Sequence, residues 1–270
     1  PADPTAAEIN AGFIDSDLFE YLELENSGPV TVDLSGALFT NGIDFDFSTG
    51  SISRLAPGGR VLIVRNQAAF ESRYGAGLPV AGEFQNGTRL ANGGERLRLA
   101  GINGISIRDF SYDDNNPWPE DADGNGHSLV LIDPGSNPDH GEAGNWRMSS
   151  LPGGNAGESD ANLFTGDPMS DDDGDGLSNF MNHALGGSGA AFAPVFSFEN
   201  GVIIFSHTRN LAADDVDFEA EFSTDLVNWR SAGAVPVSET AIGGGNSLVT
   251  WKIGPGFEGR VFVRLRVEKR

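Results

Sequence analysis

Cysteine is absent from this 270-residue chain. Disulfides, thiol nucleophiles and cysteine-based zinc sites are excluded together. Basic residues are scarce, with 17 Lys and Arg against 39 Asp and Glu and a formal charge of −22 at pH 7. A field of that sign repels phosphate backbones, so nucleic acid is not an expected partner. No apolar run approaches the length of a membrane span, and no signal-peptide pattern is present, so membrane insertion is not expected. The opening Pro1-Ala2-Asp3 reads as the start of a mature or trimmed product. Histidine is sparse, and His127, His140, His183 and His207 stand in unrelated contexts. The chain contains no His-Glu-x-x-His, no Gly-x-Ser-x-Gly and no phosphate-cradling Gly-Lys-Ser/Thr. Scattered carboxylates meeting in space are the one catalytic arrangement left open. The expectation is a protein that is not an enzyme.

Turn formers and phenylalanine are plentiful, with 37 Gly, 14 Pro and 18 Phe. That composition suits β-sandwiches with many turns, and the length allows two domains with cores of their own. The charge is unevenly spread. Residues 1–166 hold 9 basic and 24 acidic groups, residues 167–187 hold 5 acidic and no basic ones, and residues 188–270 hold 8 and 10. The domain expectation follows the same divisions: 1–166, a linker at 167–187, and 188–270.

The linker carries the most specific chemistry. Calcium takes six to eight oxygens, and a loop with side-chain oxygens at its first, third and fifth positions can wrap them round one ion. Asp171, Asp173 and Asp175 occupy those positions, with Gly176 at the sharp turn. Leu177 can offer its carbonyl from the seventh position, and Asn179 can act from the ninth, directly or through water. The twelfth position holds Asn182 in place of a bidentate Glu, so weaker binding is expected unless Asp167 or Asp172 lends a ligand. Leu177, Phe180, Met181, Ala184 and Leu185 then recur at helical spacing, and Gly186-Gly187 supplies the stop. An acidic solvated linker is the competing reading. The Gly and the apolar helix in register behind the carboxylates favour calcium, in a structural role. Asp121-Ala122-Asp123-Gly124-Asn125-Gly126 mimics such a loop but leads into strand-like Ser128-Leu129-Val130-Leu131, and reads as a turn. The run Asp-x-Asp-Gly-Asp-Gly-Leu-Ser-Asn from Asp171 resembles the single calcium loops of dockerin and thrombospondin type 3 kind.

Along residues 1–166, Glu8-Ile9-Asn10 looks strand-like, and Phe19 to Asn26 alternates as a half-buried strand that puts Glu23 and Glu25 on a solvated face. A turn at Val32–Gly36 leads to a strand near Ala37–Phe39, and Leu55 to Val64 reads as a turn and a buried strand. Gln67 to Tyr74 is expected to be a short helix. Gly82–Phe84, Leu90 to Leu99 as part of a strand, turn and strand, and Ile105 to Tyr112 follow. Trp118 and Trp146 are expected to pack within the fold.

These pieces resemble the lamin-tail domain of extracellular bacterial proteins. The residues that carry the likeness are Tyr21–Asn26, Val32–Gly36, Leu55–Gly59, Gly93–Leu99, the Tyr112-to-Leu131 segment, Asn145–Ser149 and Pro152–Gly154, spanning about residues 7–157. The resemblance implies an immunoglobulin-like sandwich with an interaction role, and no catalytic residues.

Beyond the small-residue linker 186–191, short alternating strands are expected at Val195–Phe198, Gly201–Ser206, Val216–Ser223, Ser247–Ile253 and Arg260–Glu268, with a further turn and strand from Thr224. By analogy this is a small fibronectin type III-like sandwich. Ser223–Trp229 and the Arg-Leu-Arg-Val ending resemble C-terminal modules of secreted bacterial proteins. Arg264 and Arg266 share a strand face, where they are either ordinary surface charge or a contact for an acidic neighbour.

The fold expectation is therefore all-β: a lamin-tail sandwich and a second small sandwich joined by a calcium loop and one short helix. The functional expectation is a secreted or cell-surface calcium-binding protein of extracellular adhesion or assembly, whose partners are other copies of itself or extracellular protein or glycan. Self-association into a fibre or layer falls within that class. The alternative is a carbohydrate-binding accessory region of a larger polysaccharide-degrading enzyme.

Overall fold

In a computed structural model of the chain, residues 1–189, 192, 194–199, 201–254 and 260–270 are described. They form an all-β protein with few helices. Two compact units divide after Asp160: Pro1–Asp160 and Ala161–Arg270.

In the N-terminal unit, Thr5 and Glu8 cap each other. The Thr5 N–H donates to Glu8 Oε2 at 2.7 Å and the Glu8 N–H to Thr5 Oγ1 at 3.3 Å. This reciprocal cap makes Ala6–Asn10 a helix, α1, where a strand-like piece was expected. The strands that follow are β1 (Tyr21–Glu25), β2 (Val32–Asp33), β3 (Leu38–Asn41), β4 (Phe45–Asp46), β5 (Arg54–Leu55) and β6 (Arg60–Val64). Helix α2 (Gln67–Tyr74) then leads to β7 (Val80–Glu83), β8 (Glu95–Ala100), β9 (Ser106–Tyr112), β10 (Leu129–Leu131) and β11 (Trp146–Met148). Leu90 to Gly94 is not a strand; Leu90 spends its N–H on Glu20 Oε2 at 3.0 Å instead.

Strands order as β1-β6-β7 and β4-β3-β8-β9, with β2-β5 and β10-β11 as separate pairs. The two larger sheets share one core, in which Val61, Ile63 and Ala81 meet Phe39, Phe45, Phe47 and Leu99. This is a sandwich-like arrangement. On the opposite face of β6, Leu62 and Val64 pack with Phe70 of α2, Tyr21 and Tyr74. Burial on both faces is why β6 reads as an unbroken apolar run. β6 pairs with β7 in parallel, and α2 provides the crossover that parallel pairing requires. Asn66 Oδ1 caps α2 by accepting the Ala69 N–H at 2.8 Å.

Glu23 and Glu25 are not a solvated face. Arg60, directly across from Glu25 on β6, donates to Glu23 Oε1 and Glu25 Oε2, each at 2.5 Å. Near the end of the unit, Arg147 is 1% exposed and paired with the buried Asp160.

The C-terminal unit contains α3 (Asn179–Leu185), β12 (Val195–Glu199), β13 (Val202–Asn210), β14 (Val216–Ser223), β15 (Ala234–Gly243), β16 (Asn246–Ile253) and β17 (Phe262–Lys269). Four strands order as β12-β13-β16-β15, and β14-β17 form a second sheet. The strand expected to follow the turn from Thr224 is β15, which begins only at Ala234. Pro236 argues against a strand, yet β15 is the outer strand of its sheet and its register shifts between Pro236 and Ser238. The segment 224–229 is a turn held by Asp225, which accepts the N–H of Val227 and Asn228 at 2.8 and 2.7 Å. Its chain returns only as an isolated bridge between Phe222 and Arg230. Arg264 and Arg266 pair within the chain, with Glu221 at 2.6 Å and Glu219 at 3.1 Å across the strand. The linker read at 186–191 includes Ala190 and Ala191, which lie outside the described residues.

Candidate metal centre

The loop at 171–182 belongs to the C-terminal unit because its helix is amphipathic. Phe180 and Ala184 of α3 bury against Ala213 and Val216, with Phe164, Phe218 and Val267 packed round them. Ser178 Oγ caps the first turn by accepting the Met181 N–H at 3.3 Å. Gly186 ends the helix at φ 78°, a left-handed conformation that suits glycine. Two carbonyls at the helix end are also satisfied: Asn210 Nδ2 donates to His183 O at 3.0 Å and Thr208 Oγ1 to Leu185 O at 2.8 Å. His183 Nε2 lies 3.2 Å from Asp215 Oδ1, while Asp215 Oδ2 accepts the Phe164 N–H at 2.9 Å. The helix is thus anchored by apolar and polar contacts together.

The loop itself is a series of turns in which carboxylates accept backbone N–H groups. Asp171 accepts from Gly174 at 2.9 Å and Gly176 at 3.1 Å, Asp173 from Asp175 at 3.3 Å, and Asp175 from Leu177 at 2.8 Å. The Leu177 N–H holds the Asp175 carboxyl below the usual carboxylate range. The second Asp175 oxygen accepts the Gly189 N–H, which sequence reading did not foresee. These turns converge one oxygen from each of Asp171, Asp173 and Asp175 to within 4.8 Å of one another. Three like charges so close repel strongly, and a cation relieves that.

The other candidate ligands are placed as follows. Asn179 is folded onto Asp172, its Oδ1 accepting the Asp172 N–H at 3.1 Å and its Nδ2 donating to Asp172 Oδ2 at 2.8 Å. Asp167 Oδ1 accepts the Met169 N–H at 3.0 Å. Neither Asp167 nor Asp172 joins the converging triad. Asn182 does reach it, with Nδ2 3.4 Å from Asp173 Oδ2. Asn182 Oδ1 is buried and makes no hydrogen bond among the described residues. Amide oxygen and nitrogen exchange places by a half-turn. As it stands, the amide N–H2 faces the carboxylates at that long distance; with a cation bound, the half-turn would bring the oxygen toward it as a further ligand. This orphaned acceptor in the twelfth position fits an oxygen-seeking metal.

Comparison of the chain with protein-family models, curated proteins and solved structures finds no match.

Other histidines and tryptophans pack within the fold. His207 is buried, its Nδ1 2.8 Å from Thr208 O and its Nε2 accepting from Trp251 Nε1 at 3.1 Å. Burial pushes its pKa down, so it is a neutral, satisfied core residue. Trp118 is buried, and its ring centroid lies 6.2 Å from that of Trp146. The Asp121–Gly126 turn forms no converging acidic group among the described residues.

Proposed function

We propose that this chain is a secreted or cell-surface, non-enzymatic, calcium-binding β protein of extracellular adhesion or assembly. In this reading the N-terminal unit is a lamin-tail, immunoglobulin-like sandwich and the C-terminal unit a fibronectin type III-like one. The observation that carries it is the convergence of three carboxylates beside Asn182, whose buried amide oxygen lacks a partner. Asp171, Asp173 and Asp175 would hold the ion with Asn182, and Leu177 would contribute its carbonyl. The ion supplies charge neutralisation, and the chain supplies a loop fixed to α3 by its turns and by Gly189. The site is structural, since α3 docks the loop on the unit's own core.

Assembly from further copies is supported by an unguarded sheet edge. All five residues of β12 are exposed, Phe196 and Phe198 among them, and no described strand pairs with its outer side. The opposite edge, β15, carries Pro236 and two register shifts, devices that block strand addition.

Calcium titration by calorimetry, followed by light scattering with calcium and with chelator, tests the proposal. Calcium at about a hundred times its Kd should stabilise the C-terminal unit by about 2.7 kcal/mol. The double substitution Asp173→Ala and Asp175→Ala should abolish binding, and unchanged affinity would sink the loop assignment. A monomer in both conditions would remove assembly from the reading.

A further inference from the structure

The N-terminal unit holds a groove that the calcium loop does not involve. β9 is the outer strand of its sheet, and the segment 137–140 runs beside it. Between them lies a space of about 370 Å³, bordered by Arg108, Asp109, Phe110, Asn137, Asp139 and His140. That volume falls in the range of small-molecule sites.

One wall is aromatic. The Phe110 centroid lies 5.3 Å from that of His140 and 5.8 Å from that of Trp146. Trp146 Nε1 donates to His140 O at 2.9 Å, which fixes the segment to the ring stack.

The polar groups are held in place before any ligand arrives. His140 Nδ1 lies 2.8 Å from Pro138 O, so Nδ1 carries the proton and Nε2 presents a lone pair. Burial lowers the pKa of this ring and keeps it neutral. Among the described residues Nε2 makes no hydrogen bond. Arg108 donates to Ile107 O at 2.9 Å and to Asn137 Oδ1 at 2.6 Å. Asp109 alternates to the opposite face of β9, where Arg96 at 2.7 Å and Arg98 at 3.6 Å match its charge. Asp139 Oδ1 accepts the Gly141 N–H at 2.9 Å, which orients its carboxylate.

The groove therefore combines an aromatic face, a neutral acceptor, a guanidinium and a carboxylate, with little net charge. An anion would meet Asp139, and a cation would meet Arg108. A purely apolar ligand would strip water from polar groups without replacing its bonds. A ring bearing hydroxyls on its rim and C–H bonds on its face satisfies every group, because each hydroxyl both donates and accepts. We propose that this groove binds a neutral sugar residue of a glycan chain. The C–H face lies against Phe110 and His140, and the hydroxyls reach His140 Nε2, Asp139 and Arg108.

The test is calorimetry and tryptophan fluorescence of the full chain with neutral gluco-, xylo-, manno- and galacto-oligosaccharides, in calcium and in chelator. Binding is expected with Kd on the order of 0.1–1 mM and a change in emission, since Trp146 backs Phe110. Affinity should fall at least roughly tenfold in His140→Ala and in Arg108→Met, while the thermal transition stays in place. His140→Gln, which restores an acceptor, should recover part of the loss. If His140→Ala fails to fold, Arg108→Met carries the comparison. No response to any of the four chains, or binding unchanged in both variants, overturns the proposal. Binding that persists in chelator supports this groove even if the calcium assignment fails.

Discussion

The two units cover their sheets in different ways. In the N-terminal unit β6 is enclosed on both faces, by the opposing sheet on one side and by α2 on the other. In the C-terminal unit a four-stranded sheet is faced, among the described residues, by two strands, with Phe218 of β14 stacked on His207 of β13 at 4.8 Å. The inner face extends beyond that cover. Phe196 and Phe198 share the face of Phe205 by register, yet are 52% and 73% exposed. Charge separates the units too: residues 1–160 hold 9 basic and 24 acidic side chains, and residues 161–270 hold 8 and 15. Apolar enclosure carries the first unit. The second leans on polar and aromatic anchors round its loop and helix, and leaves Phe196 and Phe198 largely in solvent.

The largest effect expected from this contrast is at the buried ion pair of the N-terminal unit. Asp160→Ala leaves the Arg147 guanidinium buried without its carboxylate, and should cost about 3–5 kcal/mol. Denaturant melts combined with hydrogen exchange should place the loss within residues 1–160. A cost below about 1 kcal/mol would show that water reaches the site.

Ile63→Ala comes next, at about 2–5 kcal/mol, because Ile63 is fully enclosed in the main core. A small loss would mean the two sheets close over the gap, and the contrast in enclosure would weaken.

Two carboxyls give the N-terminal unit a pH dependence of its own. Burial pushes Glu20 up to about 7 from its ordinary 4.5, and its Oε1 has no hydrogen-bond partner. The folded state keeps a proton that the unfolded chain has released, so stability falls as pH rises from about 4.5 to about 7. The full shift corresponds to about 3 kcal/mol, which solvent screening reduces toward about 2 kcal/mol, and Glu20→Gln should remove that slope. Glu8 works in the other direction. Its hydrogen bonds from Arg73 hold it at about 2, so the stability it adds is present above 4.5 and is lost as pH falls toward 2. Urea melts across pH 3 to 8 would separate the two, and a slope that survives Glu20→Gln would assign it elsewhere.

Phe198→Ser should have the smallest effect, within about 0.5 kcal/mol, because the ring is mostly in solvent. The same substitution sharpens the assembly reading, since a scattering signal that needs β12 should drop while the melt stays where it was.

Much of the strand pattern was legible from local order alone. The helix at Gln67–Tyr74, the buried strand at Arg60–Val64 and the alternating strands at Val216–Ser223 and Asn246–Ile253 each follow from apolar spacing over a few residues. The carboxylate spacing and the Gly186 stop were equally local. Thr5 and Glu8 could have been read as a reciprocal cap, since they stand three apart with Ala6 and Ala7 between them. The extent of β15 was hidden because a proline normally signals the absence of a strand, and its place at a sheet edge permits one.

The sequence by itself determined the β-rich class, the charge, the exclusion of thiol chemistry and the positions of the loop's oxygens, because composition and short-range periodicity act within a few residues. Only the tertiary structure decided that Arg60 clamps Glu23 and Glu25, that Asp160 neutralises Arg147, and that His140 stands beside Phe110 over a groove. Those partners lie 37, 35, 13 and 30 residues apart along the chain. Side chains so far apart in sequence meet only when strands pair and sheets pack, so burial and charge pairing at each are properties of the fold rather than of any one segment.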